Sequence, residues 1–342
     1  MTFLKSTSLS IAHVFFLFTG LAWFYLSGKT SRRAHMALIY FFCLSAGRSN
    51  DWMSAWISAA SRELALKKNV GVLGELSDEN LNEIAASLRD KGYVVFENSL
   101  PPEMCERLMA FAMSTRANIR KMDHEEQRSE LRQEYYVSTH PVAVRYDYPV
   151  DQLIGNQDVQ DLLADASLLR LAGKYLRARP MADVLSMWWH TNYKAQPDSE
   201  AAQFYHFDMD RIKWLKIFIY LTDVGLADGP HSFIEGSHAT GGIPRKFLKR
   251  GYARLDDADV LAYYGSERQI TFKAPKGTII VEDTRGLHKG NMVSENPRLI
   301  LQLQFSNSLF GANQPKAAFT DIKSPILVDM LQQAPDLYRS FQ

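Results

Sequence analysis

The second half of the chain is written as short β segments separated by turns, and no other feature constrains its fold so tightly. Leu215 to Leu221 alternates strictly, with Leu215, Ile217, Ile219 and Leu221 on one face and Lys216, Phe218 and Tyr220 on the other. Further strands are expected at Val184 to Tyr193, His231 to Ile234, Gln269 to Lys273, Thr278 to Glu282 and Leu299 to Phe305. Asp228-Gly229-Pro230 and Pro275-Lys276-Gly277 supply turns between them. Many short strands with turns between predict an antiparallel sandwich of the jelly-roll or cupin type. Helices are expected before it. Ser77 offers an N-cap, Leu81, Ile84, Ala85 and Leu88 mark one apolar face, and Lys91-Gly92 ends the helix. Tyr93 to Phe96 reads as a strand, Pro102 opens a second helix running to about Met122, and Val159 to Leu176 reads as a third. The class is mainly β with flanking helices, α+β.

Bulk properties exclude several functions. The chain has 342 residues, with 39 Lys and Arg against 38 Asp and Glu, so no global basic field calls for nucleic acid. Cys43 and Cys105 make neither a disulfide framework nor a zinc-ribbon spacing. No glycine-rich phosphate loop or dinucleotide fingerprint is present.

The first seventy residues have a different character. Ser6 to Gly28 holds no Asp, Glu, Lys or Arg, and as a helix rising ~1.5 Å per residue it would reach roughly 35 Å, enough for a bilayer core. Lys29, Arg32 and Arg33 follow, so the positive-inside bias places the rest of the chain on the cytoplasmic side. Ala34 to Gly47 is too short to span, and Trp52, Trp56, Ile57, Ala60 and Leu64 suit a helix on a membrane surface. The expectation is membrane association through residues 6–64, with residues 1–70 as anchor and 71–342 as the catalytic domain. The competing reading is that these helices pack on the enzyme as ordinary core. Val70 to Gly74 is expected to be a linker.

The chemistry concentrates in His206-Phe207-Asp208, on β-patterned chain, followed by His288 after the strand Thr278 to Glu282, and by Arg298 ten residues later. Two imidazoles and one carboxylate on one face of a metal leave three positions open, as non-haem iron oxygenases require. Residues two apart on a strand point the same way, so one strand end supplies His206 and Asp208 together. The triplet alone is weak evidence in a chain with nine histidines. An arginine at the set-back position could grip the far carboxylate of 2-oxoglutarate as a bidentate pair. His124-Glu125-Glu126, in a charged run, reads as solvated surface, and His190 as a core histidine.

Phe204 to Leu303 resembles the phytanoyl-CoA dioxygenase family of iron(II)- and 2-oxoglutarate-dependent oxygenases. The likeness lies in His206-Phe207-Asp208, in Gly229-Pro230-His231-Ser232-Phe233-Ile234-Glu235-Gly236-Ser237-His238, in His288 and in Arg298. Asp90 to Phe96 and Pro102 to Leu108 resemble the family's amino-terminal entry, so the likeness covers about Leu76 to Phe310. It implies a double-stranded β-helix core, Fe(II) held by His206, Asp208 and His288, and 2-oxoglutarate bound by Arg298, with O2 as second cosubstrate. Asn192 is a candidate second contact to 2-oxoglutarate. Some members carry a hydroxyl residue two positions after the distal histidine, where this chain has Gly290; Asn291 or Tyr220 could compensate. His238 is expected to be structural.

The expected activity is hydroxylation of an aliphatic carbon in a small-molecule or lipid-like substrate, with release of succinate and CO2. Asp208 favours hydroxylation, since related halogenating enzymes leave that position free for chloride. A cupin-like hydrolase or isomerase could use the same triad but has no need of Arg298, and a non-catalytic binding module on this fold is the other alternative.

Overall fold

The computed structural model describes residues 7–342 apart from 63, 65, 67, 68, 120–131, 195, 197–201 and 316. His124-Glu125-Glu126 lies outside the described residues. Three helices lead: α1 (Thr7–Ser27), α2 (Arg32–Ser45) and α3 (Arg48–Ala60). Where a linker was expected, β1 (Val70–Gly71) and β2 (Gly74–Glu75) form a small hairpin. Helix α4 (Asp78–Lys91) begins and ends as its sequence predicts, because Ser77 Oγ accepts the Asn80 N–H and Gly92 turns out at φ +94°. Strand β3 (Tyr93–Phe96) and helix α5 (Pro102–Ser114) follow. That helix stops short of Met122: the chain becomes extended at Thr115 and buries Ala117 and Ile119 in β4 (Ala117–Ile119) instead.

Next come β5 (Arg132–Glu134), β6 (Arg145–Asp147), α6 (Val150–Ile154), α7 (Gln157–Leu163) and α8 (Ala166–Leu176). The helix expected from Val159 to Leu176 is two, because Asp165 breaks it and its carboxylate caps the Leu168 N–H of the second. The remaining strands are β7 (Met181–His190), β8 (Trp214–Tyr220), β9 (His231–Ile234), β10 (Gln269–Phe272), β11 (Ile279–Glu282), β12 (His288–Gly290) and β13 (Arg298–Ser306).

These strands make two facing antiparallel sheets, a large one ordered β3-β11-β8-β13-β7-β6-β4-β5 and a small one ordered β10-β9-β12. This is the double-stranded β-helix type of jelly roll. The alternation in β8 now has physical meaning. Leu215, Ile217 and Ile219 join Leu301, Leu303 and Val281 in a cluster that reaches Leu81, Leu88, Leu168 and Leu171 of the flanking helices. Phe218 and Tyr220 point the other way, where Trp188, Phe233, Phe272, Ile280 and Ile300 pack between the sheets. Each fully buried Leu or Ile contributes about 1.5–3 kcal/mol, so a one-residue register slip would be prohibitive.

Among the described residues no helix is long and apolar enough to cross a membrane. The spanning helix expected over Ser6 to Gly28 is corrected on that finding, and the cytoplasmic-side assignment, which rested on a span, falls with it. Helix α1 instead packs along α2, with Gly20 against Ala34, while Phe24 meets Phe310 edge-on at 5.6 Å. Leu17, Leu38 and Phe42 belong to one buried cluster with Tyr205, Phe207 and Trp214. The opposite side of α1 stays open to its surroundings, with Phe15, Phe18 and Leu26 exposed by 62%, 66% and 79%.

Gly92 joins α4 to the core under two constraints. Its φ is positive, and an added Cβ would stand 2.6 Å from His238 Nδ1 and 2.7 Å from the Phe233 ring. Gly92→Ala is expected to cost about 1–3 kcal/mol, read as a lowered midpoint in thermal or urea unfolding; an unchanged midpoint would show that the neighbouring rings yield freely.

Candidate metal centre

One antiparallel bridge assembles the site. The His206 N–H donates to the His288 carbonyl at 3.0 Å, and the His288 N–H donates to the His206 carbonyl at 2.9 Å. Asp208 is tied to the same turn, its N–H donating to the Thr284 carbonyl at 2.8 Å. His206, Asp208 and His288 are all buried, and their candidate ligand atoms lie within 4.8 Å of one another. The imidazole nitrogens are also assigned by their surroundings. His206 Nδ1 faces the Phe204 carbonyl at 2.9 Å and His288 Nδ1 faces the Gly286 carbonyl at 3.0 Å. Each Nδ1 therefore carries the hydrogen, which leaves both Nε2 lone pairs for a metal. Those Nε2 atoms stand 3.8 Å and 3.4 Å from the Asp208 carboxylate oxygens.

The electrostatics suit a cation. Burial and the neighbouring His288 hold His206 well below the ordinary imidazole pKa. Burial opposes charge on His288 too, but Asp208, Glu282 and the Gly286 carbonyl outweigh it and raise its pKa. Burial would raise Asp208; Lys216 and the two histidines overcome that and keep it an anion. Lys216 was not singled out by the sequence. It is buried on the inward face of β8, and its Nζ donates to Asp208 Oδ2 at 2.5 Å and lies 3.1 Å from Asp210 Oδ2. Register places Lys216 opposite Glu282 of β11. Glu282 meets His231 Nε2 at 3.0 Å, and burial pushes its carboxyl up to about 8. The only trace of this polar group in the sequence was that Lys216 and Glu282 interrupt otherwise apolar strands.

A family model described as phytanoyl-CoA dioxygenase matches residues 88–299, more than half of the chain. The chain belongs to the phytanoyl-CoA dioxygenase family. It is a non-haem iron(II)- and 2-oxoglutarate-dependent dioxygenase with a His-x-Asp…His triad at His206, Asp208 and His288. The donor set fits the family's iron: two neutral Nε2 atoms and one carboxylate, converging and buried, with tautomers already fixed. Among solved structures, the carbocyclase SnoK from nogalamycin biosynthesis is similar at 17% identity and TM-score 0.47, covering 70% of this chain and 86% of its own. EctD from S. alaskensis follows at 18% and 0.46, covering 77% and 91%. The epimerase SnoN from nogalamycin biosynthesis stands at 16% and 0.44, covering 67% and 84%. At these scores the likenesses decide nothing about this chain's chemistry. No curated protein sequence matches it.

The other candidate residues are distributed as follows. Arg298, at the start of β13, is 1% exposed, and its Nη2 contacts His190 Nδ1 at 2.8 Å while Nη1 donates to the Gly229 carbonyl. His190 thus supports the arginine from β7. Gly290 lies against the same guanidinium, where a Cβ would come 3.3 Å from Nη2. Tyr220 Oη donates to the Phe272 carbonyl and accepts the His231 N–H, both at 3.0 Å, and Asn291 is committed to Pro230 and Ser232. Asn192 does not join the buried group: it is exposed beyond the end of β7, its amide donating to the Glu295 carbonyl at 3.3 Å. His238 faces the Arg89 carbonyl at 3.1 Å, inside a turn and apart from the triad.

Lys216→Met keeps an unbranched side chain one atom shorter and removes its charge. Freed of its 2.5 Å partner, Asp208 is expected to hold iron about 10–100-fold more weakly. Titration of the metal-free protein with Fe(II) under anaerobic conditions reads this directly, and an unaltered affinity would reduce Lys216 to a space-filling role.

Proposed function

We propose that the enzyme hydroxylates an aliphatic carbon of a small-molecule or lipid-like substrate, with release of succinate and CO2. The observation that carries this reading is Arg298. A guanidinium buried to 1% exposure has no carboxylate within ion-pair distance among the described residues, and its Nε has no hydrogen-bond partner there. Burial accordingly lowers its pKa. A buried cation without a counter-ion is costly, and a ligand carboxylate would offset that cost. The far carboxylate of 2-oxoglutarate is the anion the family supplies, and Gly290 places no side chain against the guanidinium, where a Cβ would stand 3.3 Å from Nη2.

When bound, iron and 2-oxoglutarate supply oxygen activation and the oxidising equivalents. The chain's own residues position and insulate. His206, Asp208 and His288 would hold the metal by three positions and leave the others for cosubstrates. Lys216 keeps Asp208 ionised and fixed, and Arg298, steadied by His190, would orient the cosubstrate. Trp188, Phe218, Phe233 and Ile300 pack as an apolar cluster between the sheets and would help keep water from the reacting carbon. Arg298→Ala is expected to weaken 2-oxoglutarate binding at least ~30-fold, equivalent to the roughly 2 kcal/mol or more lost with a buried charge-assisted pair, while Fe(II) affinity stays as in the native protein. Equal 2-oxoglutarate affinity in calorimetry, or absence of 2-oxoglutarate turnover with every acyl, sterol, amino-acid and sugar compound screened, would sink the proposal.

The amino-terminal helices add an association we also propose, at a membrane surface. Ile11, Phe15, Phe18, Trp23 and Leu26 of α1 and Trp52 and Trp56 of α3 are exposed, and no Asp or Glu precedes Asp51 while Lys29, Arg32, Arg33 and Arg48 do. An apolar helix face rimmed by cations and tryptophans suits an anionic lipid interface. Flotation with phosphatidylglycerol-containing vesicles should carry the native protein, and Phe15→Ser/Phe18→Ser should release it; a native protein left at the bottom of the gradient counts against surface association.

A further inference from the structure

A second charged site lies away from the metal centre. A cavity of about 630 Å³ is lined by Arg89, Arg177, Lys213 and Arg285, with Asp51 as the one acidic lining residue among the described residues. A neighbouring cavity of about 690 Å³ shares Arg89 and Arg177 and adds Arg62, Arg170 and Lys174, against Asp78. None of His206, Asp208, His288 and Arg298 lines either one.

The carboxylates nearby are already committed. Asp51 takes the Arg285 Nη1–H at 2.7 Å and the Thr240 hydroxyl. Asp283, behind the wall, is held by Arg285 Nη2 at 2.7 Å and by the Tyr175 hydroxyl at 2.5 Å. Asp78 takes Arg170 at 2.9 Å. Among the described residues, seven cations line the two cavities against Asp51 and Asp78, with Asp283 behind Arg285. Lys213 is the most telling of them. Its ammonium sits over the Tyr175 ring, 4.5 Å from the centroid, with no carboxylate in ion-pair range among the described residues. Burial, reinforced by Arg285, pushes its pKa down to about 8. Proteins ordinarily spread or pair such charges, and a concave cluster left in excess concentrates positive potential where an anion would sit. Arginine forks and a lysine lining one cavity suit the oxygens of a phosphate.

We infer that the cavity lined by Arg89, Arg177 and Lys213 binds a phosphate monoester, gripped by these three cations. The ester comes either from a soluble metabolite or from a lipid headgroup, since α3, which lines the cavity through Asp51, Ser54, Ala55 and Ser58, also presents exposed Trp52 and Trp56. The site is independent of the oxygenase reading, because it shares no residue with the metal centre.

The test uses the iron-loaded full chain with two probes that carry the same glycerol phosphomonoester. Calorimetry measures sn-glycerol 3-phosphate, and co-sedimentation compares phosphatidylcholine vesicles with and without phosphatidic acid. Arg89 and Arg177 are exposed and make no ion pair among the described residues, so Arg89→Gln/Arg177→Gln should fold normally, and retained Fe(II) affinity verifies that it has. Lys213→Met is measured beside it. The expected result is binding of at least one probe by the native protein, weakened at least about tenfold in both variants. Glycerol 3-phosphate binding without a phosphatidic acid preference identifies a soluble ester; a phosphatidic acid preference that the variants lose identifies a headgroup. Neither probe binding, or binding that survives in both variants, overturns the inference.

Discussion

Two main-chain hydrogen bonds between His206 and His288 carry the structure's chemistry. They join the end of one irregular segment to the small sheet and bring ligands 82 positions apart into one cluster. Main-chain pairing fixes them regardless of side chain, so the triad is as rigid as the sheet that contains β12. The carbonyls of Phe204 and Gly286 then set both imidazole tautomers, each from two residues before its histidine. Metal affinity in such a site depends on this outer layer as much as on the ligands.

The interior of the barrel is unusually charged for its burial. Asp208, Lys216, Glu282, His231 and Arg298 all lie inside, and each charge must be compensated by a neighbour or by a ligand. Lys216 lies between Asp208 and Asp210, one cation against two carboxylates, which leaves a negative charge for a metal, and Glu282 meets His231. Arg298 is the buried cation with no carboxylate in ion-pair range among the described residues. Elsewhere the same physics is purely structural: Arg211 and Asp183 form a buried pair at 2.6 Å, supported by Ser306 at 2.7 Å.

The amino-terminal helices are part of the site's support. Phe42 stacks on Phe207, the residue between two ligands, at 5.3 Å. His35 Nε2 faces the Met209 carbonyl at 2.8 Å, and Asn50 donates to the Ile212 carbonyl at 3.0 Å. Arg285, three residues before His288, pairs with Asp51 of α3. The segment from Tyr205 to Ile212 has little regular structure of its own, and α2 and α3 satisfy its polar groups and cover its aromatic ring. Apolar length suggested a span, but a helix such as α1, which packs its apolar residues on α2 and Phe310, has the same composition as one that faces lipid.

By itself the sequence determined much of the strand pattern, the caps of α4, and the metal triad. These are local or evenly spaced signals: alternation marks a sheet face, Ser77 and Gly92 mark helix ends, and ligand types carry their own chemistry. Tertiary structure alone decided that α1 packs where a span was expected, that Asp165 divides a helix, and that Asn192 ends exposed while His190 steadies Arg298. It also placed Lys216 and Glu282 inside the barrel. Two charged residues in apolar strands have no readable partner along the chain, because their pairing depends on strand register, which is fixed only when β8, β11 and β13 come together.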